Sequence, residues 1–457
     1  MLEGGEIRAI GLSQDLCARY PASKQIRVER ITPGLHDAHA HPLYWGEQLG
    51  LLDLAGLSDP REVAGKVAET AKNMPVGTWL RGSGFLFETY PSKELLDQAA
   101  PHQPVFLQSR DLHSAWVNTR GLEAARITAS STDPEGGKIL RDSSGEPTGY
   151  LLERATSLVG EVLPQPGIQV LEKGLKDFAR RGYTAVHHMG WCSAAWAIEL
   201  AERGSLPVRL WWALDKEDWQ AFEPGWHHGL LHLAAVKFFA DGALGSRTAW
   251  MHRPYPDGSF GMPLDDLEEI RQRGEIALKK GFTLAVHAIG TRAVAGMLEV
   301  FKTLAPFAKA PLRLEHAQHV RDQELRLMNS LPLALSMQPS HLLEDARLVR
   351  RHLLGREREA FRFRDLWNTA KPMAFGSDAP VAAPSVADTL AAATGHAFNP
   401  EQSLTKEECL YAFTRGASLA AGWSGHGVVA VGAPADLTLW EGDTPIGRVF
   451  AGELELF

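Results

Sequence analysis

Cysteine is scarce in these 457 residues. Cys17, Cys192 and Cys409 are far apart and odd in number, which argues against a disulfide framework and fits no zinc-knuckle spacing. Long apolar runs are missing as well. None approaches the roughly 20 residues needed to span a bilayer, so membrane insertion is not expected. The opening MLEGGEIRAIG lacks the apolar core of a secretory signal, and a reducing cytoplasm is the expected setting. Positive charge is not in surplus. A net charge of −8 and a pI near 6.1 give no reason to expect nucleic-acid binding. There is no glycine-rich phosphate loop leading into a helix, no internal repeat and no low-complexity segment. What remains is an ordinary globular mix, 44% hydrophobic and 22% charged, in a length that suits a barrel-sized domain with additions.

From about residue 170 to 420, short apolar runs alternate with longer helical patterns, the signature of repeated βα units. Strands are predicted at Arg30–His39, Thr184–His187, Val208–Trp212, Ala234–Ala240, Thr283–His287, Leu312–His316, Ala334–Gln338 and Met373–Gly376. That is the number a closed (β/α)8 TIM barrel requires. A helix is predicted over Asp265–Lys280, which opens on acids, closes on lysines and is stopped by Gly281. The α/β reading divides the chain into five parts. Residues 31–57 hold the first barrel strand and 166–420 the rest of the barrel. Residues 58–165 form an inserted subdomain after strand 1, with short strands at Trp79–Gly82 and Val105–Gln108, placed to act as a lid. Residues 1–30, with strands at Glu6–Ile10 and Ile26–Val28, and residues 421–457 together supply a small β-sheet domain built from both termini.

Barrel enzymes carry their working residues at the C-terminal ends of the strands. On that basis strand one ends in His39-Ala-His41, whose alternate positions share a face. Strand four carries Lys237 and then Asp241, strands five and six end at His287 and His316, and Asp378 follows strand eight. Imidazole and carboxylate are ligands for Zn, Fe, Mn or Ni. One His-x-His alone reads as two satisfied histidines. Four histidines and an aspartate at strand ends of one barrel favour a divalent metal, zinc first.

The segments PGLHDAHAHP, VKFFADGALGSRTAW, AVHAIGTRAV, RLEHAQHV, MQPSH and FGSDAPV resemble the amidohydrolase superfamily, specifically its amidohydrolase-3 branch, which contains N-substituted formamide deformylase-like proteins. The stretch RDLHSAWVNTRGLEAA and the tail VGAPADLTLW resemble it too, so the likeness runs over nearly the whole chain. The resemblance implies that His39 and His41 bind a first metal. It implies that Lys237, carboxylated by CO2, bridges to a second ion held by His287 and His316. Asp378 is implied both as a ligand and as the general base. An ammonium has no lone pair, so Lys237 must be deprotonated before it can serve, and burial near cations favours that. The competing reading pairs Lys237 with Asp241 beside a single ion. The implied activity is hydrolysis of a non-peptide carbon–nitrogen bond in a small amide-like molecule, linear or cyclic, N-acyl or N-formyl. Metal-activated hydroxide attacks, and Asp378 passes the proton to the leaving nitrogen. The rivals are an ester or lactone hydrolase on the same site, and a catalytically silent binding or regulatory protein on this scaffold. Homo-oligomerisation is left open.

Weaker signals surround this set. His113 in the insert and His341 after strand seven are candidates for substrate contact, each with an equally plain structural reading, and Arg247 after a Gly-Ala-Leu-Gly-Ser loop is a candidate that reads more readily as an anchor for that loop. His187, His188 and His319 read as packing or outlying groups, and Trp116 and Trp250 as candidate walls of an apolar pocket. Thr291 stands where the branch usually has an acid, and His36 where it has an apolar residue.

Overall fold

The computed structural model describes residues 1–87, 89–109, 114–134 and 137–457. The chain divides into two compact units, Glu47–Gly167 and the remainder, Met1–Gly46 with Ile168–Phe457.

The larger unit is built on eight parallel strands. These are β1 (Leu35–Ala40), β2 (Tyr183–Met189), β3 (Arg209–Asp215), β4 (Leu231–Phe239), β5 (Thr283–Ala288), β6 (Leu312–His316), β7 (Leu333–Met337) and β8 (Met373–Phe375). Each pairs with the next from β1 to β8, with register shifts in the β1–β2 and β3–β4 ladders. Most read as unbroken buried runs, as parallel strands do when both faces are covered. No ladder joins β8 to β1 among the described residues. The segment after β8 spans that seam: the Asp378 amide donates to the His39 carbonyl at 2.7 Å, and the His41 amide to the Ala379 carbonyl at 2.9 Å. The result is a nearly closed barrel.

Helices follow the strands for local reasons. Leu267–Lys280 starts where the Asp266 carboxylate accepts from the Glu268 and Glu269 amides. Acids occupy its first turn and lysines its last, and Gly281 ends it in a left-handed conformation at φ +112°. It buries Ile270, Ala277 and Leu278.

The segment predicted as one strand over Arg30–His39 is two. Arg30–Pro33 pairs antiparallel with Leu437–Glu441, in a sheet continued by Thr444–Phe450 and Glu453–Leu456, whereas β1 pairs with β2. Gly34 alone separates them. A β-carbon at Gly34 would lie 2.0 Å from the Thr184 hydroxyl, so the crossing from one sheet to the other needs the bare backbone. Ile26–Val28 lies in no strand. The strand predicted at Glu6–Ile10 is Glu6–Ile7, paired with Leu2–Glu3.

The unit Glu47–Gly167 holds a six-stranded mixed sheet in the order Leu52–Asp53, Leu80–Phe85, Val105–Ser109, Ser114–Val117, Pro147–Glu153, Gly137–Arg141. Helix Pro60–Ala71 packs Val63 and Val67 into its core with Leu80, Leu107 and Trp116. Among the described residues of the chain, no helix is long and apolar enough to cross a membrane.

Candidate metal centre

Two imidazoles meet one carboxylate at the end of β1. His39 Nε2 lies 3.4 Å and His41 Nε2 3.3 Å from the same Asp378 oxygen, Oδ1. The other oxygen, Oδ2, faces His341 Nε2 at 3.8 Å. Ligand atoms of His39, His41 and Asp378 lie within 4.8 Å of one another, and so do those of His316, His341 and Asp378. The His316 ring stands 4.7 Å from that of His39 and 4.4 Å from that of His287. His287 joins neither group of three; its Nε2 donates to the Gly242 carbonyl at 3.1 Å, which leaves the lone pair on Nδ1.

The backbone is bent to achieve this. Asp378 and His316 both sit in the left-handed region, at φ +58° and +70°. Each such residue costs about 1–3 kcal/mol and is held only where its surroundings over-determine it. The bend at His316 has a visible effect. Strand alternation would send consecutive side chains to opposite faces. Here both Glu315 and His316 reach His39, the first by a 2.7 Å hydrogen bond to Nδ1, the second by ring contact.

Lys237 is fully buried, and its Nζ has no hydrogen-bond partner among the described residues. Burial pulls its pKa down to about 8, against the opposing charges of Glu315 and Asp378. The competing pair with Asp241 is not formed. The Asp241 carboxylate instead accepts from the backbone amides of Ile289, Gly290 and Trp250 at 2.9, 2.7 and 2.7 Å, which ties down the loops after β4 and β5. Burial also lowers the pKa of His39 to about 4 and that of His287 to about 3, and holds His316 well below the usual imidazole range. These rings are therefore neutral near pH 7, with lone pairs to offer. Burial opposes ionisation of Asp378, but the imidazoles around it, His39 first, hold its carboxyl well below the ordinary range.

Neutral imidazoles, an ionised carboxylate and a buried amine form a donor set that suits a divalent transition metal. The buried atoms His41 Nδ1, His316 Nδ1, His341 Nε2 and Lys237 Nζ all lack partners among the described residues. The residues fit such an ion.

Other candidates fall elsewhere. Arg247 pairs with Asp257 and is not among the grouped ligands. His113 lies outside the described residues. Trp116 is buried within the Glu47–Gly167 unit and donates to the Ser92 carbonyl, and Trp250 lies beneath the Arg292 guanidinium. Trp191 follows β2 in a left-handed conformation at φ +63° and lies flat on His41, ring centroids 4.9 Å apart and planes 18° from parallel. Tyr44 meets both rings at 6.3 Å. Asp37 is another residue that sequence reasoning passes over. Its Oδ1 accepts from the amides of His39 and Ser377, joining β1 to the segment that carries Asp378. The signal for Glu315 was present: Arg313 and Glu315 share one strand face by the same two-residue period that marks His39 and His41.

A barrel with this imidazole–carboxylate centre at its strand ends defines a metal-dependent hydrolase. Residues 29–448 match the family model described as "Amidohydrolase family". The chain belongs to that family. It is 30% identical over 479 residues to YtcJ of Bacillus subtilis (strain 168), covering 97% of this chain and 90% of that one. It is 26% identical over 493 residues to the N-substituted formamide deformylase of Arthrobacter pascens, again covering 97% and 90%. The crystal structure of an uncharacterized metal-dependent hydrolase from Pyrococcus furiosus superposes with a TM-score of 0.82 at 24% identity, covering 97% of this chain and 94% of that one.

Proposed function

We propose that the protein hydrolyses a carbon–nitrogen bond in a small amide-like molecule, a linear or cyclic amide or an N-acyl or N-formyl compound. The observation that carries this reading is the placement of His39 Nε2 and His41 Nε2 at 3.4 and 3.3 Å from one Asp378 oxygen. His39, His41 and Asp378 would hold a divalent ion, zinc first. Lys237, carboxylated by CO2, would join it to a second ion at His287 and His316. A bound ion of this kind supplies Lewis acidity and a water whose pKa falls to about 7.

The residues of the chain do the rest. Asp378 accepts the proton of the attacking water at a carboxylate oxygen and returns it to the leaving nitrogen, so that acid and amine products separate neutral to the overall proton count. His341, 3.8 Å from Asp378 Oδ2, would orient the substrate carbonyl. Trp191 and Tyr44 shield His41 on its outer side. The similarity to a deformylase of N-substituted formamides supports the choice of amides over esters.

The test is metal analysis of purified protein followed by paired amide and ester substrates of one acyl group, drawn from N-acyl and N-formyl compounds. The expected result is bound divalent metal and turnover of the amide. Preference for the ester or lactone would overturn the carbon–nitrogen assignment, and a metal-free, inert protein would favour a binding or regulatory role.

A further inference from the structure

We infer that Arg313 is a positioning residue that assigns the proton-bearing nitrogen of three histidines, and that through Glu315 it holds the Nε2 lone pair of His39 ready for a cation. The inference rests on the reading of His39 as a metal ligand, and it adds the groups that make His39 one.

Arg313 is fully buried inside the barrel, its guanidinium 4.2 Å over the Trp211 ring. An arginine has only donors and stays charged, so every group it touches must accept. It donates from Nε to Glu315 Oε1 at 2.8 Å, from Nη2 to Glu315 Oε2 at 3.2 Å and to the Ala38 carbonyl at 2.6 Å, and from Nη1 to His187 Nδ1 at 2.8 Å. Two consequences follow in opposite directions.

Toward the centre, both Glu315 oxygens accept from the always-charged Arg313 guanidinium, so Glu315 stands as the carboxylate of a buried ion pair. Ionised, it can only accept. The 2.7 Å contact to His39 therefore needs a proton on His39 Nδ1. A neutral imidazole has one proton, so Nε2, the atom that faces Asp378, carries the lone pair. Away from the centre, His187 Nδ1 must be the acceptor, which puts its proton on Nε2. That atom lies 3.3 Å from His36 Nδ1, so His36 in turn is protonated on Nε2. Burial keeps both of these rings neutral. His36 thus ends a chain of polar groups that begins at His39, which gives a reason for an imidazole where an apolar side chain would otherwise stand. Among the described residues His41 has no such partner: its buried Nδ1 is unpaired there, and its ring is held by Trp191 instead. The two histidines of one motif are thus oriented by different physics.

The full-length metal-free protein, labelled with 15N in histidine, tests this directly. Long-range 1H–15N spectra give the tautomer of each ring, with His36→Asn, His187→Asn and His39→Asn assigning the signals. His39 should be protonated on Nδ1, and His187 and His36 on Nε2. A proton on His39 Nε2, or a doubly protonated His39 at pH 7, overturns the inference. Zinc affinity, measured by competition with a fluorescent chelator, is the second arm. In Glu315→Gln the amide can turn its NH2 toward His39 and release the wrong tautomer, so the zinc Kd should rise about 10–100-fold. If His39→Ala abolishes zinc binding while Glu315→Gln folds and leaves the Kd unchanged, the inference fails and the ligand assignment stands. If His39→Ala itself leaves the Kd unchanged, both fail. Should Glu315→Gln not fold, the spectra of the unsubstituted chain still decide.

Discussion

Gly376 lies against His39 across the seam between β8 and β1: a β-carbon on Gly376 would sit 2.3 Å from the His39 amide nitrogen and 2.7 Å from the His39 β-carbon. Neither atom can swing away as the tip of a long side chain would. Gly376→Ala must therefore push the ligand strand and the closing segment apart. The expected cost is about 1–3 kcal/mol in urea unfolding, as for other overpacked sites, together with loss of metal on dialysis. An unfolding midpoint and metal content equal to the unsubstituted protein would contradict this.

Asp378→Asn keeps the shape of the side chain but replaces an acceptor with a donor opposite His39 and His41. The fold should survive, read by circular dichroism and tryptophan fluorescence. The turnover number should fall about 10²–10⁴-fold, the usual worth of a positioned acid–base group. A fall of less than tenfold would remove Asp378 from proton transfer.

Lys237 gives a pH signature in the metal-free protein. Its pKa is about 8 folded against 10.5 for the free side chain, so the folded value is depressed. Between those pH values the unfolded chain binds a proton that the folded chain does not, and stability relative to Lys237→Met rises with pH. Below about pH 8 both states are protonated and the difference is flat. The same neutral amine is what reacts with CO2. A 13C carbamate resonance from labelled bicarbonate should therefore grow as the pH is raised from about 7 to 9, and it should be absent in Lys237→Met. No resonance at any pH would exclude the carboxylated lysine.

Metal removal should loosen the whole larger unit, because the donors come from strands spread around the barrel. Adding zinc to chelator-treated protein at about 100-fold its Kd should stabilise it by roughly 2.7 kcal/mol, read as a rise in Tm. His39→Ala should abolish that rise. A Tm indifferent to zinc, manganese, nickel and iron(II) would leave the centre without its ion.

The barrel was legible because seven of its strands are short β-rich runs set between helical patterns, and because helices such as Leu267–Lys280 carry their caps in the sequence. The first strand was less so. Nothing local distinguishes Arg30–Pro33, which pairs with Leu437–Glu441, from β1, which pairs with β2; the choice is made by partners hundreds of residues away. In the centre, His39 and His41 announced themselves by their spacing. His341 reaches Asp378 only because the chain after β7 turns directly into helix His341–His352, and a turn of that kind leaves a weak trace in composition. Trp191 was hidden for a related reason. A half-exposed tryptophan after a glycine looks like surface, and its contact with His41 depends on a left-handed backbone at φ +63°.

The strand that bears His39 and the hairpin near the end of the chain share one hydroxyl. Thr438 Oγ1 accepts from the Leu35 amide at 3.1 Å and donates to the Gly182 carbonyl at 2.9 Å, clasping the starts of β1 and β2 together. Thr438 is synthesised 403 residues after Leu35. While that threonine is still within the ribosome, the entry of β1 lacks its clasp. The contact that fixes the entry of the ligand strand is one the growing chain can make only after 403 further residues have been added.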